Sequence, residues 1–183
     1  PKTVSDFGVG VSYTFDSRDF MLNASRGWFM QLDLTTNPTF LGNINTSWSA
    51  ELQLATYRKA WRGAIIAGEL HTRQSTGQVP WPMLADVGSS NRMRGYYEGR
   101  YRDKNVIDAQ VELRQHIWHR NGIVLWLGAA EVFPRYSDMR FSRILPNAGV
   151  GYRWQFKKGV NVRLDYGFSR NGTGFIFNIN EAF

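Results

Sequence analysis

At 183 residues, 43% hydrophobic and 15% aromatic, the chain has the size and composition of one folded domain, which excludes a disordered tail. Its net charge of +7 points to a polyanionic neighbour without choosing among nucleic acid, anionic lipid and a phosphorylated glycolipid. Cysteine is absent, which excludes thiolate chemistry, zinc–thiolate sites and a disulfide framework.

The opening stretch PKTVSDFGVGVSYTF has no apolar export signal with a small-residue cleavage site, so any such signal is expected upstream or already removed. From there on, apolar residues recur at period two, and a period of 3.6 is nowhere sustained. Phe7, Val9, Val11, Tyr13 and Phe15 alternate with small or polar residues, and Trp28, Met30, Leu32 and Leu34 oppose Gln31, Asp33 and Thr35. Trp48, Leu52 and Leu54 oppose Ser49, Glu51 and Gln53. Ile107, Ala109, Val111 and Leu113 oppose Asp108, Gln110, Glu112 and Arg114, and Val162, Leu164 and Tyr166 oppose Asn161, Arg163 and Asp165. The pattern predicts about nine strands, most of roughly 9 to 11 residues, the length that crosses a bilayer when tilted. No run approaches the roughly 18 apolar residues of a spanning helix, a test that barrel strands escape because they are only half apolar.

A soluble sandwich also alternates, but three features favour a membrane barrel. The polar face carries ionisable groups of both signs at mid-strand, such as Glu69, His71, Arg73, Arg153 and Arg163. Aromatic residues collect at strand ends. Phe15, Trp28, Trp61, Trp118, Trp154 and Phe183 are expected at one level, and Phe40, Trp48, Phe133, Phe168 and Phe175 at the other, as two interfacial girdles. Connections alternate in length: RKAWRG, HRNG and KKG are short, whereas NPTFLGNIN, the region 75–104 and PRYSDMRFSRILP are long. Short turns on one rim and long loops on the other follow the outer-membrane pattern, periplasmic and external respectively.

The longest loop holds SSNRMRGYYEGRYRDKN, in which Arg92, Arg94, Arg100, Arg102 and Lys104 surround Tyr96, Tyr97 and Tyr101. Its tetrad Met93-Arg94-Gly95-Tyr96 is similar to the V-R-G-F/Y motif of the BamA/TamA superfamily of outer-membrane protein assembly factors, in the C-terminal barrel region. Gly88-Ser89-Ser90 resembles the Gly-Gly-Ser that precedes it, and FDSRD at 15–19 resembles the family's Y-D-S-R-D turn. VELR at 111–114, GVGYRW at 149–154, RLDYGF at 163–168 and the closing GFIFNINEAF match as well, so the resemblance spans nearly the whole chain. It implies an all-β fold over 1–183: an antiparallel transmembrane β-barrel, here the C-terminal half of a roughly 16-stranded one, with the external loop 75–104 folded into the lumen. The alternative is a small closed barrel of about eight strands from residue 26 onward, with the first segment displaced. If the motif loop is external, Pro1 starts outside.

The resemblance further implies an integral protein of the Gram-negative outer membrane that assists insertion or translocation of proteins. The alternative function is a passive pore or structural barrel without assembly activity. Partners implied are outer-membrane lipids including lipopolysaccharide, client outer-membrane proteins, and periplasmic or membrane assembly partners. In the family the strand after VELR carries an inward aspartate for the motif arginine; here that position is Gly128, with Glu131 nearby on the other parity. Candidate partners of Arg94 are therefore Glu112, Asp165 and Glu131, the first two preferred for their inward parity on strands following the loop. Phe175, Phe177, Ile179 and Phe183 share one parity, expected to face lipid, and resemble the closing-strand signal of outer-membrane barrels.

No catalytic residue and no cofactor are expected. His116 and His119, three apart in an extended segment, would face opposite ways and suit no shared metal. Nothing resembles a nucleophile elbow, and GVGVSYT lacks the following helix a dinucleotide loop needs. RMRGYYEGRYR interleaves bases and aromatics as RNA readers do, but nucleic-acid binding leaves the girdles unexplained.

Overall fold

The computed structural model describes residues 6–183, so the expected external start at Pro1 lies outside the described residues. The alternation seen in the sequence becomes a nine-stranded antiparallel sheet. Its strands are β1 (Val9–Asp16), β2 (Gly27–Asn37), β3 (Ser47–Lys59), β4 (Ala64–Gly77), β7 (Asn105–Trp118), β8 (Asn121–Phe133), β9 (Leu145–Lys157), β10 (Val160–Ser169) and β11 (Gly172–Ile179). Two short strands, β5 (Ala85–Val87) and β6 (Tyr101–Asp103), pair inside the long loop between β4 and β7.

Neighbours in sequence are neighbours in the sheet, with β1 and β11 at its edges. β1 pairs with β2 along its whole length, from Val9 opposite Thr36 to Asp16 opposite Phe29. The first segment is therefore not displaced, and β2 does not close on β11, which sets aside the small eight-stranded barrel. The outer face carries the apolar set: Val11 is 72% exposed and Leu127 70%, while Glu69, Asp108, Glu112, Arg163 and Asp165 on the opposite parity are buried. Apolar side chains facing out and charged ones facing in is the inverse of a water-soluble sheet and the pattern of one facing lipid.

Connections 17–26, 60–63, 119–120 and 158–159 share one rim, and 38–46, 78–104, 134–144 and 170–171 the other. Two of them break the short/long sorting. Turn 17–26 is long, and it is braced from within: Asp19 accepts the Ser25 N–H at 2.8 Å, and Asp16 pairs with Arg18 at 2.7 Å. Turn 170–171 is short because the long loop packs against it, with Tyr96 Oη accepting the Arg170 N–H at 3.2 Å. A longer connection there would compete with the loop for the same space.

The girdles need two corrections. Phe15, Trp28, Trp61 and Trp118 are exposed at one level, and Phe40, Trp48, Phe168 and Phe175 at the other. Phe133 instead is fully buried, its ring tilted against that of Tyr136 in the following loop at 5.2 Å between centroids. Phe183 turns inward, because β11 stops at Ile179 and Asn180 adopts φ 72°, a left-handed conformation that asparagine tolerates better than most residues. Its ring packs on Tyr57 at 6.2 Å, beside the buried Ala24, Ala55 and Ala67.

Candidate functional site

Loop 78–104 reaches the inner face because its two ends are clamped and its tip is shaped for close approach. β5 and β6 clamp the ends, pairing Ala85 with Asp103 and Val87 with Tyr101. Ala85, Val87, Met93 and Tyr96 then pack on Val106, Ala130 and Leu145 of the wall in one apolar cluster. Tyr96 donates its hydroxyl to the Pro146 carbonyl at 2.7 Å, and its ring meets Tyr101 edge-on at 5.8 Å. At the tip, Gly95 takes φ 100°, and a Cβ on Gly174 would stand 2.9 Å from the Gly95 Cα. Backbone thus presses on backbone where the loop meets β10 and β11, and side chains at these positions would lift it off.

Arg94 lies between Met93 and this tip, with no exposed surface. One guanidinium nitrogen donates to Asp165 Oδ2 at 2.7 Å and the other to Glu112 Oε1. The guanidinium carbon lies over Trp126, 3.7 Å from the ring centroid. The Arg94 carbonyl accepts from Asn147 Nδ2, and Asn147 Oδ1 accepts the Trp126 indole N–H at 2.8 Å. Side chains from β7, β8, β9 and β10 therefore converge on one loop residue. A buried guanidinium demands such a set, since an unpaired one would cost several kcal/mol of lost hydration, roughly 3–5 for a broken buried pair.

Both acids are themselves shared. Glu112 Oε2 accepts from Arg114 Nε at 2.9 Å, and Asp165 Oδ1 from Arg153 at 2.5 Å. Arg153 Nε also donates to Glu181 Oε2 at 2.7 Å, and Asn161 to Glu181 Oε1 at 2.7 Å. Arg114 donates to the Phe183 carbonyl at 2.9 Å and lies over its ring, 5.1 Å from the centroid. Arg163 reaches the other side of the loop, donating to the Ser90 carbonyl at 2.7 Å. One ionic network thus joins the loop tip, the inner wall and the chain end after β11. Burial raises the Glu181 carboxyl, but the Arg114 and Arg153 guanidinium groups outweigh it and hold the group below the ordinary carboxylate range.

Of the candidate partners, Glu112 and Asp165 lie on Arg94 and Glu131 does not. Glu131 is a correction: its parity puts it on the outward side, where its Oε1 accepts the Arg140 N–H at 2.8 Å. Gly128 leaves room that Met93 occupies, its sulfur 3.5 Å from where a Cβ would stand. The remaining inward acids have other partners. Glu51 and Asp108 flank His71 at 2.9 and 2.7 Å, and Glu69 accepts from Gln53 at 2.6 Å and Gln110 at 2.7 Å. On β11 Phe175, Phe177 and Ile179 point outward, 67%, 65% and 55% exposed, whereas Phe183 is folded in as described above. His116 bonds only locally at the rim, its Nε2 donating to the His119 carbonyl oxygen at 2.7 Å.

Trp126 and Asn147 escaped the sequence reading. The signal was there: both have inward parity, Trp126 in β8 and Asn147 in β9.

A family model described as the Omp85 superfamily domain matches residues 1–183. The chain belongs to the Omp85 superfamily. No curated protein matches it significantly. Among solved structures, this Omp85 chain is similar to the crystal structure of BamA from Haemophilus ducreyi lacking POTRA domains 1-3, with a TM-score of 0.76 at 15% identity. The match covers 95% of this chain and 41% of that one, so the Omp85 chain spans about two fifths of that structure. Together, family and fold make it an outer-membrane protein of the β-barrel kind, and the loop described above lies on the inner face of that barrel wall.

Proposed function

We propose that this chain is the wall of an assembly barrel that assists insertion or translocation of client proteins in the Gram-negative outer membrane, without catalytic chemistry or a cofactor. The observation that carries the reading is the seating of loop 78–104 against the last two strands, with Gly95 on Gly167 and Gly174. A barrel that opens beside its closing strand needs that strand to be steadied by something other than its outer neighbour. β11 is short, eight residues against thirteen in β8 and β9. Unpaired backbone groups are costly in lipid, so a seam bordered by so short a strand would, once open, favour an incoming strand. The passive-pore reading fits less well, since the loop and its ion pairs fill the inner side of β7 to β10.

A photoreactive residue at Asn178, placed on the edge of β11 in the protein expressed in cells, tests the reading. Cross-links to folding intermediates of other outer-membrane proteins are expected. Cross-links to lipid or to this protein alone, under conditions where clients accumulate, would refute assembly activity.

A further inference from the structure

Connection 134–144 does not extend into water. Two short turns, Tyr136–Asp138 and Phe141–Arg143, fold it back over the outer wall, and the seat is specific. Glu131, 4% exposed, holds the Arg140 N–H, and Phe133 holds Tyr136. Beneath the loop a groove of about 200 Å³ remains, floored by Leu70, Ile107, Ala109 and Ala129 and roofed by Met139 and Phe141. The floor is low because Ala109 faces Ala129 across the strand pair, where the next outward pair is Val111 with Leu127. Phe141 at the roof is 93% exposed.

Charge surrounds the upper end of this groove. Arg140 borders it, and Arg135 and Arg143 flank it on the same loop, all three exposed. Among the described residues none of these guanidinium groups pairs with a carboxylate, although Asp138 lies within the same segment. The four lumen arginines of the central network each approach an acid within 4 Å, whereas these three do not. A hydrocarbon-lined trough on the bilayer-facing wall, topped by free guanidinium groups at the water interface, is complementary to an amphiphile with an anionic head. Guanidinium favours phosphate, which it binds in a fork with two hydrogen bonds.

We infer that loop 134–144 and the outer face of β4, β7 and β8 form a binding site for a phosphorylated lipid of the outer leaflet, one acyl chain lying over Ala109 and Ala129 and the phosphate under Arg140 and its neighbours. The assignment rests on the external placement of this loop and is independent of assembly activity. An acyl chain in the groove covers Phe141 and supplies the counter-charge the loop lacks.

The test uses the protein purified from membranes in mild detergent, with bound lipid counted by native mass spectrometry. The wild type is expected to retain phosphorylated lipid, and the triple variant Arg135→Gln, Arg140→Gln, Arg143→Gln to retain about tenfold less. Ala129→Phe, which fills the floor, should lose retention to a similar degree with all three arginines present. Gel mobility before and after heating reports whether each variant is folded. Delipidated protein is then offered phosphatidylcholine vesicles doped with lipid A or with its dephosphorylated form. Preference for the phosphorylated form, lost in the triple variant, supports the site. Equal capture of both forms, unchanged retention in the folded triple variant, or displacement of the lipid by inorganic phosphate would overturn it.

Discussion

The guanidinium of Arg94 lies over the indole of Trp126, 3.7 Å from its centroid, and the indole N–H is in turn fixed by Asn147, which also holds the Arg94 carbonyl. The loop is thus held through both its side chain and its backbone by one pair of wall residues. Arg94 to alanine leaves Glu112 and Asp165 facing Arg114, Arg153 and Arg163 with a hole between them. It should cost about 3–5 kcal/mol where the site is dry, less where lumen water enters. Lysine should restore little, since a single ammonium cannot bridge two carboxylates and stack on the ring at once. Protease digestion of whole cells provides the check: cleavage between Arg92 and Arg102 should rise sharply in both variants and stay low in the wild type.

Trp126 to leucine keeps an apolar side chain in place and removes both the stacking surface and the N–H donor. Loss of the cation–π contact accounts for about 0.5–2 kcal/mol, and a cavity adds to it. Asn147 to alanine should have a similar effect through the Arg94 carbonyl. The temperature at which the folded band disappears on gels should fall for both. A double variant should lose less than the sum, because the two residues act on the same loop residue.

How far the sequence carried this site follows from what each residue's neighbours reveal. Strand parity alone places Glu112, Asp165, Arg153 and Arg163 on the inner face, and the register in the structure agrees with that alternation through β7, β9 and β10. The choice of Arg94 came from the resemblance of its loop motif, since no spacing rule singles it out from Arg92 or Arg102. Glycine at 128 offers Arg94 no acid: its carboxylates come from β7 and β10 and its aromatic ring from β8, a convergence across strands that period-two patterns do not record. Phe183 was misread for a different reason. Its parity follows β11, but a single left-handed residue, Asn180, ends the alternation before the chain does.

Gly174 tests the contact between loop tip and β11. A side chain there would meet the Gly95 backbone, and valine cannot move aside as a long flexible residue could. Gly174→Val should displace the tip by separating it from β11 while leaving the Arg94 ion pairs on β7 and β10 chemically intact. The expected outcome is greater protease sensitivity around residues 95–100 with near-normal membrane yield. An unchanged digestion pattern would mean that the glycine contact holds nothing.

Acid should reveal the part played by Glu181. Its carboxyl titrates below the ordinary range because Arg114 and Arg153 oppose the effect of burial. A carboxyl depressed in the folded state contributes stability above its unfolded value, near pH 4.3, and that contribution disappears as pH falls through the lower folded value. Wild-type unfolding temperature should therefore drop as pH falls below about 5, beyond the drop caused by other acids. Glu181→Gln should start lower at neutral pH and show a shallower acid decline, and the two curves should converge at the acid end. Parallel curves would place the charge of Glu181 outside the energetics of the fold.

Packing and recognition at Phe183 are separable by substitution. In the folded chain its ring sits on Tyr57 under Arg114, and its carbonyl accepts from the same arginine. Removing it uncovers Ala24, Ala55 and Ala67 and frees an Arg114 nitrogen, so stability should fall, by less than the about 3–5 kcal/mol of a fully buried aromatic because the ring is only partly buried. Its resemblance to a closing-strand signal predicts a separate loss, in the amount of protein that reaches the membrane folded. Phe183→Leu distinguishes the two, because leucine keeps an apolar side chain and the backbone carbonyl while removing the aromatic ring. If packing alone matters, the leucine variant should accumulate in the membrane at nearly wild-type levels and unfold at a modestly lower temperature. If the aromatic end is read during assembly, membrane yield should fall several-fold while the molecules that do insert keep nearly wild-type stability. Pulse-chase labelling with heat-modifiable mobility measures both quantities in one experiment, and a variant normal in both would assign Phe183 neither role.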